Sequence, residues 1–179
     1  NCLPVTMLAV DNIEADDTIA YIANEIYTQS DQKVQIVSTD RDFLQLVNNR
    51  ISVWSPIKKK MYTPELMKEE FGIDASNYLL YRTFLGDKSD NIPGVKGVAL
   101  KSLIKYFPMM TENRSVDLDE LLEHAHDGKD RYKIYKSVIE SKDQVNLNRT
   151  LMQLKEVDIA GNLKMMIHDK VTGPVDKLN

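Results

Sequence analysis

The first 60 residues alternate short apolar runs with segments of helical periodicity, and this alternation constrains the fold more than any other feature. Three apolar runs predict strands at Thr6–Val10, Val34–Ser38 and Ile51–Trp54. Between them, the apolar spacing predicts helices from Ile13 to about Tyr27 and at Phe43–Val47. Strands that alternate with helices indicate an α/β fold with a parallel sheet, in which functional side chains collect at the carboxyl ends of the strands.

The rest of the chain has the spacing of helices separated by turns. Thr63 and Pro64 fit the cap and first turn of a helix that ends at Gly72. Further helices are predicted at Asn77–Leu85, Val98–Phe107, Asp119–His126, Tyr132–Ile139 and Gln144–Leu154. We therefore predict a sheet domain at residues 1–75, a helical region at 76–158 and an unassigned tail at 159–179.

Composition narrows the class of protein. With 42% hydrophobic residues among 179, the chain can bury a core, and no apolar run reaches the roughly 18 residues that span a bilayer. Cys2 is the single cysteine, so an internal disulfide is impossible and a reducing compartment is compatible. The net charge of -4 argues against a polyanionic partner, although bound divalent cations would reverse the local sign around clustered carboxylates.

The first acidic cluster follows the first predicted strand and comprises Glu14, Asp16 and Asp17. Asp16 heads the apolar stripe of the predicted helix, whereas Glu14 and Asp17 share another face. Each carboxylate at a helix N-terminus is stabilised by about 0.3–1 kcal/mol through the macrodipole. Taken alone, the cluster fits such a first-turn arrangement as well as it fits a metal site.

Two further acidic pairs lie at element junctions. Asp40 and Asp42 directly follow the second predicted strand, where they fit either a hard-cation site or an ordinary turn with one aspartate as N-cap. Asp87 and Asp90 lie three residues apart in a loop rich in Asp, Ser, Asn, Pro and Gly. That loop, by itself, also fits a polar turn.

The three clusters together indicate a metal centre more strongly than any one alone. Two divalent ions about 3.5–4 Å apart would draw the carboxylates together and stabilise both oxygens of a phosphodiester displacement. Carboxylate ligands favour Mg²⁺ or Mn²⁺. Zinc is disfavoured because there is one cysteine and because His124 and His126 are expected to be solvated helix residues.

A glycine-containing turn precedes the predicted helix Val98–Phe107. Two glycines three residues apart suggest a tight turn whose backbone N–H groups can contact a phosphate. Lys101 and Lys105 lie four residues apart, opposite the apolar stripe of the helix. Lysines alone fit a solvated surface helix, and the glycine turn shifts the balance toward DNA. The candidate DNA-binding residues are Gly94, Val95, Lys96, Gly97, Val98, Lys101 and Lys105.

These motifs resemble the flap endonuclease family of structure-specific 5′ nucleases, which includes phage 5′ exonucleases and the nuclease domain of bacterial DNA polymerase I. The matching segments are residues 13–17 (IEADD), 38–46 (STDRDFLQL) and 86–95 (GDKSDNIPGV), in the family's order and spacing. The resemblance covers Leu3 to Phe107 and continues loosely to Asp158. It implies a PIN-like parallel sheet flanked by helices, followed by a helical region with a helix–three-turn–helix, or helix-hairpin-helix, motif.

The resemblance also implies a two-metal site in which a metal-bound water attacks the phosphodiester in line. The implied direct or water-mediated ligands are Glu14, Asp16, Asp17, Asp40, Asp42, Asp87 and Asp90. Catalysis is expected to depend on Asp16, Asp40, Asp42 and Asp87. The hairpin around Gly94–Val98 is expected to grip duplex phosphates, in this family with a potassium ion on backbone carbonyls.

Two departures from the family pattern affect these expectations. Family members carry further aspartates on a preceding N-terminal strand, so we expect this chain to be a fragment that lacks part of the active site. Ala99 stands where the hairpin usually has glycine. That change is expected to weaken backbone approach or ion binding at the turn.

The leading hypothesis is a Mg²⁺-dependent 5′-3′ exonuclease or flap endonuclease of DNA replication or repair. Its expected substrates are branched, flapped or nicked duplex DNA, or RNA primers on DNA. We expect a monomer without membrane association in the cytoplasm of a bacterium or a phage-infected cell. Two alternatives remain, a non-catalytic module that binds DNA structures and a PIN-type ribonuclease of single strands.

Overall fold

The computed structural model describes residues 5–29, 31–128 and 131–174, in which a small mixed sheet is flanked by helices. Strand β1 (Val34–Val37) pairs in parallel with β2 (Ile51–Ser55), and β2 pairs antiparallel with β3 (Lys60–Tyr62). The predicted all-parallel sheet is therefore wrong at β3. Only residues 56–59 link β2 to β3, and so short a connection closes a hairpin but cannot form a crossover.

The strand predicted at Thr6–Val10 is also wrong, because residues 5–10 form no strand. Leu8 and Val10 pack partly against the core, whereas Met7 is 78% exposed. Apolar sequence predicts burial, but a strand also needs a neighbour whose backbone can complete the ladder. Among the described strands, β1 pairs with β2 alone and no strand lies on its other side.

The other elements of the sheet region follow their sequence patterns closely. Helix α1 (Ala15–Tyr21) continues as a π-helical turn at Ile22–Ile26, as the apolar spacing predicts. A 3₁₀ helix at Asp42–Leu46 follows β1 and buries Phe43 among the core residues. The carboxyl end of β1 therefore leads directly into the segment that contains Asp40 and Asp42.

Helix α2 (Pro64–Phe71) shows why the helix ends could be predicted. The Thr63 hydroxyl accepts a hydrogen bond from the backbone N–H of Leu66 at 3.4 Å, and Pro64 occupies the first turn. Gly72 ends the helix in the left-handed conformation, with φ of 68°. The remaining helices are α3 (Tyr78–Leu85), α4 (Leu100–Tyr106), α5 (Leu118–Asp127), α6 (Lys133–Glu140), α7 (Lys142–Met152) and α8 (Gly161–Thr172).

Helix α8 occupies the tail that sequence patterns left unassigned. It lies against the π-helical turn after α1, where Lys164 forms an ion pair with Glu25 at 3.1 Å and Ile167 is fully buried. His124, expected to be solvated, is half-buried instead, and its Nε2 lies 3.0 Å from the carbonyl oxygen of Tyr106. His126 is exposed, as expected.

One hydrophobic core extends from the sheet into the helical region, with buried residues from Ala20 to Ile167. Phe84 of α3 and Leu103 of α4 are fully buried within it. Within residues 5–29, 31–128 and 131–174, none of the helices combines the length and the apolarity that crossing a membrane requires.

Candidate metal centre

The segment after β1 positions two of the predicted carboxylates. The backbone N–H of Asp40 donates to the Ser38 hydroxyl at 3.0 Å, and the backbone N–H of Asp42 donates to Asp40 Oδ1 at 2.8 Å. Asp40 therefore forms a side-chain turn just ahead of the 3₁₀ helix, whose N-cap is Arg41 and not one of the two aspartates. Its second carboxylate oxygen makes no hydrogen bond within the described part of the chain, so Asp40 retains an oxygen for a cation.

The loop after α3 positions two more of the predicted carboxylates, Asp87 and Asp90. Asp87 and Ile92 exchange backbone hydrogen bonds of 2.9 and 2.7 Å, which closes the loop into a short antiparallel bridge. Asp87 Oδ1 accepts the backbone N–H of Ser89 at 2.8 Å and also the Ser89 hydroxyl. These bonds fix the Asp87 carboxylate through Oδ1 and leave Oδ2 outside the hydrogen bonds of the loop.

Glycines allow this loop to close tightly on the end of α3. A Cβ at Gly94 would lie 2.1 Å from the carbonyl oxygen of Leu85, far inside van der Waals contact. Gly86 has φ of 69°, and a Cβ there would lie 2.4 Å from the Ile92 carbonyl oxygen. The position of Asp87 and Asp90 therefore depends on two residues without side chains.

Three carboxylates from these two loops converge. Asp42, Asp87 and Asp90 each offer an oxygen, and the three oxygens lie within 4.8 Å of one another. Asp42 and Asp87 are half-buried, and Asp90 is exposed. An all-carboxylate set with one exposed side fits a hard divalent cation that keeps some of its water.

Arg82 is the residue that sequence reasoning missed at this site. Its Nη2 lies 2.7 Å from Asp42 Oδ1 and 2.5 Å from Asp87 Oδ2, so one guanidinium bridges both loops. Its Nε is buried without a hydrogen-bond partner in the described structure. Arg82 is the single charged residue of α3, and a charge in an otherwise apolar helix requires a partner, which was the available signal.

The two carboxylates that contact Arg82 differ in their electrostatics. Burial raises the pKa of Asp42, and the opposing effect of Arg82 does not overcome it. Hydrogen bonds from Ser89, and then from Arg82, lower the pKa of Asp87 to about 2. Asp87 is thus held ionised, which is the state that ligates a cation.

The first acidic cluster lies beside this centre but outside the converging trio. Burial raises the pKa of Asp16, and the negative charges of Asp40, Glu14 and Asp17 raise it further. Burial and then Glu14 raise the pKa of Asp17. Asp16 is half-buried and within range of the negative charge of Asp40, whereas Glu14 is exposed at the N-cap of α1.

A buried asparagine supports the Asp87 loop from the helical region. Asn148 on α7 is fully buried, and its Nδ2 donates to the carbonyl oxygens of Thr83 and Pro93, both at 2.8 Å. Gln144 donates to Asn148 Oδ1 at 2.8 Å and completes its bonding. Since Thr83 and Pro93 flank the loop on both sides, α7 fixes both of its ends.

The predicted DNA-binding residues separate into a supporting and an exposed group. Val95 and Val98 are buried and joined by a backbone hydrogen bond of 3.1 Å, so they offer only backbone to a partner. Gly94 packs beneath the end of α3, as described above. Four residues of the set face solvent without obstruction: Lys96, Gly97, Lys101 and Lys105.

Comparison with known proteins bears on this geometry. Residues 1–72 match the family model described as the 5′-3′ exonuclease, N-terminal resolvase-like domain. The flap endonuclease Xni of Pseudoalteromonas translucida is 33% identical over 149 residues, which are 80% of this chain and 58% of that protein. This chain is related to the 5′-3′ exonucleases and flap endonucleases. The resemblance predicted from the three acidic motifs is thus confirmed.

Two other proteins show the same resemblance and indicate how much of their length this chain covers. The 5′-3′ exonuclease of Aquifex aeolicus is 39% identical over 100 residues, which are 56% of this chain and 34% of that protein. The flap endonuclease of bacteriophage T5, solved as a complex with DNA and metal ions, superposes with a TM-score of 0.68 at 22% identity. That match covers 94% of this chain and 57% of the phage protein, so the chain spans little more than half of it.

Proposed function

We propose that this chain forms the metal-binding and DNA-holding part of a structure-specific 5′ nuclease, a 5′-3′ exonuclease or flap endonuclease of DNA replication or repair. The observation that carries the proposal is the convergence of Asp42, Asp87 and Asp90 from two separate loops. Its sequence relatives carry the names of such nucleases. The phage T5 protein that shares this fold was solved with metal ions and DNA.

The donor set supports a pair of Mg²⁺ or Mn²⁺ ions. Asp42, Asp87 and Asp90 would hold one ion. Asp16 and Asp40 would hold the other, with Glu14 and Asp17 acting through water. When bound, such ions supply a nucleophilic water near neutral pH and stabilise the charge that develops on the phosphodiester oxygens.

The chain's own groups prepare the centre for those ions. Asp87 stays ionised through its Ser89 hydrogen bonds, and Arg82 holds Asp42 and Asp87 at the separation that the structure shows. Arg82 neutralises part of their mutual repulsion while no cation does so. Asp40 links the two groups of ligands, since it accepts from the Asp42 backbone and interacts with Asp16.

The exposed turn and lysines support a duplex partner. Gly97 adopts φ of 79° with open space around it, and Lys96, Lys101 and Lys105 project into solvent beside it. We propose that α3, the turn and α4 act as a helix-hairpin-helix on backbone phosphates, with K⁺ on carbonyl oxygens of the turn. Flapped, branched or nicked duplex DNA, including RNA-primed ends, would be the substrate.

The broader assignments follow from the same proposal. Residues 1–75 would contribute the PIN-like nuclease domain and residues 76–158 the DNA-binding region, with the tail at 159–179 as an appendage that contains α8. The active protein would work as a monomer in the cytoplasm of a bacterium or phage-infected cell.

A cleavage assay tests the proposal. A duplex with a labelled 5′ flap is incubated with the protein in Mg²⁺, in Mn²⁺ and in EDTA. In the complete nuclease of which this chain forms a part, we expect metal-dependent cleavage that Asp40→Asn abolishes while duplex binding survives, and that Asp158→Asn, an exposed carboxylate far along the chain, leaves intact. Cleavage that persists in Asp40→Asn would contradict the proposal, and equal cleavage of unstructured RNA would favour a PIN-type ribonuclease.

A further inference from the structure

An aromatic pair lies exposed at the C-terminal end of α4, next to the lysines of the proposed DNA surface. The rings of Tyr106 and Tyr132 have centroids 4.7 Å apart, and Tyr132 is 48% exposed. A tyrosine with half its surface in water leaves apolar area available to a partner. Tyr132 immediately precedes α6, so its contact with Tyr106 connects the end of α4 to the start of α6.

The pair is fixed from beneath by buried groups. Tyr135 is 7% exposed, packs edge-on against both Tyr106 and Tyr132, and donates its hydroxyl to the Tyr106 carbonyl oxygen at 3.2 Å. His124 approaches the same carbonyl oxygen at 3.0 Å. Because Tyr135 packs against both rings, part of their rotational freedom is already lost before a partner binds, which lowers the entropic cost of stacking a planar ligand on them.

Two basic residues accompany the aromatic pair. Lys105 Nζ lies 5.1 Å from the centroid of the Tyr106 ring. Arg131 directly precedes Tyr132 in the chain and is exposed. Among the described residues, neither Lys105 nor Arg131 forms an ion pair with a carboxylate.

An exposed aromatic surface beside unpaired cations matches the chemistry of single-stranded nucleic acid. Bases stack on the rings, and the cations interact with the backbone that joins those bases. A duplex keeps its bases stacked on each other and offers no free base face along its length. The aromatic pair can therefore stack on the bases of unpaired nucleotides but not on those within the duplex.

Lys105 connects this surface to the proposed duplex site. Lys101 and Lys105 lie on the same face of α4, about 6 Å apart along the helix axis. A strand that leaves a duplex held at Lys96 and Lys101 would reach the tyrosines after passing Lys105. We infer that Tyr132 and Tyr106, with Lys105 and Arg131, form a stacking platform for an unpaired base of the single-stranded DNA that continues from the duplex.

This inference rests on the proposed duplex binding, and a comparison of two DNAs separates the two. Fluorescence anisotropy in EDTA measures binding to a blunt duplex and to the same duplex with a single-stranded extension. Tyr132→Ala is expected to weaken binding of the extended duplex about 5- to 100-fold, since stacking on one aromatic residue contributes at that level. Blunt-duplex affinity is expected to stay within about twofold.

Two control variants sharpen the result. Tyr132→Phe keeps the stacking surface and is expected to bind as the wild type does. Leu151→Ala removes another exposed apolar side chain, on α7, and is expected to have no effect on either DNA.

A fluorescence measurement tests stacking directly. In a Trp54→Phe background, Tyr132→Trp provides the single tryptophan, and its fluorescence is expected to be quenched by single-stranded DNA.

Each outcome decides a different point. If wild type binds both DNAs and Tyr132→Ala matches it on both, the stacking platform is wrong while duplex binding stands. If wild type fails to bind the blunt duplex but binds the extension through Tyr132, the duplex site is wrong and the platform stands. Absence of quenching in the Tyr132→Trp protein at saturating single strand would also overturn the platform.

Discussion

Arg82 contacts two carboxylates that are also proposed to bind a divalent cation. Its side chain is 12% exposed and contacts two carboxylates that are 22% and 18% exposed. Partial burial makes such contacts stronger than surface ion pairs, and breaking them leaves uncompensated charge. A divalent cation that binds Asp42 and Asp87 would compete with the guanidinium for the same oxygens.

This competition gives a prediction for Arg82→Ala. Without metal, the variant is expected to unfold with a free energy lower by about 1–3 kcal/mol, because Asp42 and Asp87 then repel each other without compensation. Adding Mn²⁺ is expected to raise its Tm more than that of the wild type, since no guanidinium competes for the ion. Thermal denaturation with and without Mn²⁺ measures both effects.

Arg149→Ala is the matched control for that prediction, because Arg149 is exposed on α7 and lies outside the acidic centre. It is expected to show the wild-type response to Mn²⁺. An Arg82→Ala protein that gains no more from Mn²⁺ than the control would show that Arg82 and the cation do not share these carboxylates.

Individual residues also show what sequence could reveal of the site. The convergence of Asp42, Asp87 and Asp90 could be anticipated because these carboxylates lie at element junctions, where hard-cation ligands occur. Arg82 and Asn148 could not be, since their roles depend on distant partners. Asn148 acts through carbonyl oxygens 65 and 55 residues away, and no local pattern encodes such a pairing.

At the scale of elements, the loop between Gly86 and Gly94 determines where Asp87 and Asp90 lie. It is closed by the Asp87–Ile92 bridge and by the hydrogen bond from Val95 N–H to the Phe84 carbonyl oxygen at 2.8 Å. The close approach to α3 leaves no room for a Cβ at Gly94. The geometry of the centre therefore depends on loop closure as much as on the carboxylates.

Gly94→Ala is accordingly expected to displace the loop. We predict a loss of about 1–3 kcal/mol in the free energy of unfolding, as for other overpacked sites, together with weaker Mn²⁺ binding. Gly161→Ala is the control, because a Cβ there meets no atom within 4 Å at the start of α8. If chemical denaturation and Mn²⁺ titration give the same values for both variants, loop closure does not position the ligands.

Elements differed in how well the sequence predicted them. Helix α2 was predicted at its observed ends because its cap, first-turn proline and terminal glycine are local signals. The strand expected at Thr6–Val10 was wrong because pairing depends on a neighbour that a single run of residues does not specify. Strand β3 was missed because its three residues, Lys60–Tyr62, are too few to show alternation.

At the scale of the whole molecule, charge is divided between two surfaces. The net charge is -4, yet the turn and α4 present lysines, while carboxylates concentrate at the sheet edge. Net charge alone argues against a nucleic-acid partner, whereas the exposed lysines of the turn and α4 are compatible with one. The resemblance to 5′-3′ exonucleases and flap endonucleases could be predicted because three separated motifs agree, although each alone fits an ordinary turn.

The divided charge predicts a specific dependence on salt. Changing Lys96, Lys101 and Lys105 together to alanine is expected to weaken duplex binding. The slope of log affinity against log salt should become shallower by about 0.9 for each phosphate that the variant no longer neutralises. Lys68, Lys136 and Lys142 are exposed on other helices, and their triple alanine variant is the control. Equal slopes for both variants would remove α4 from the DNA surface.

The central claim is that carboxylates from two loops form a divalent metal site. Calorimetric titration of Mn²⁺ tests it most directly, with the wild type, Asp42→Asn, Asp87→Asn and the exposed control Asp158→Asn. We predict saturable binding in the wild type and in Asp158→Asn, and affinity lower by at least about tenfold in the other two variants. The same affinity in all four proteins, or no saturable binding in the wild type, would contradict the account.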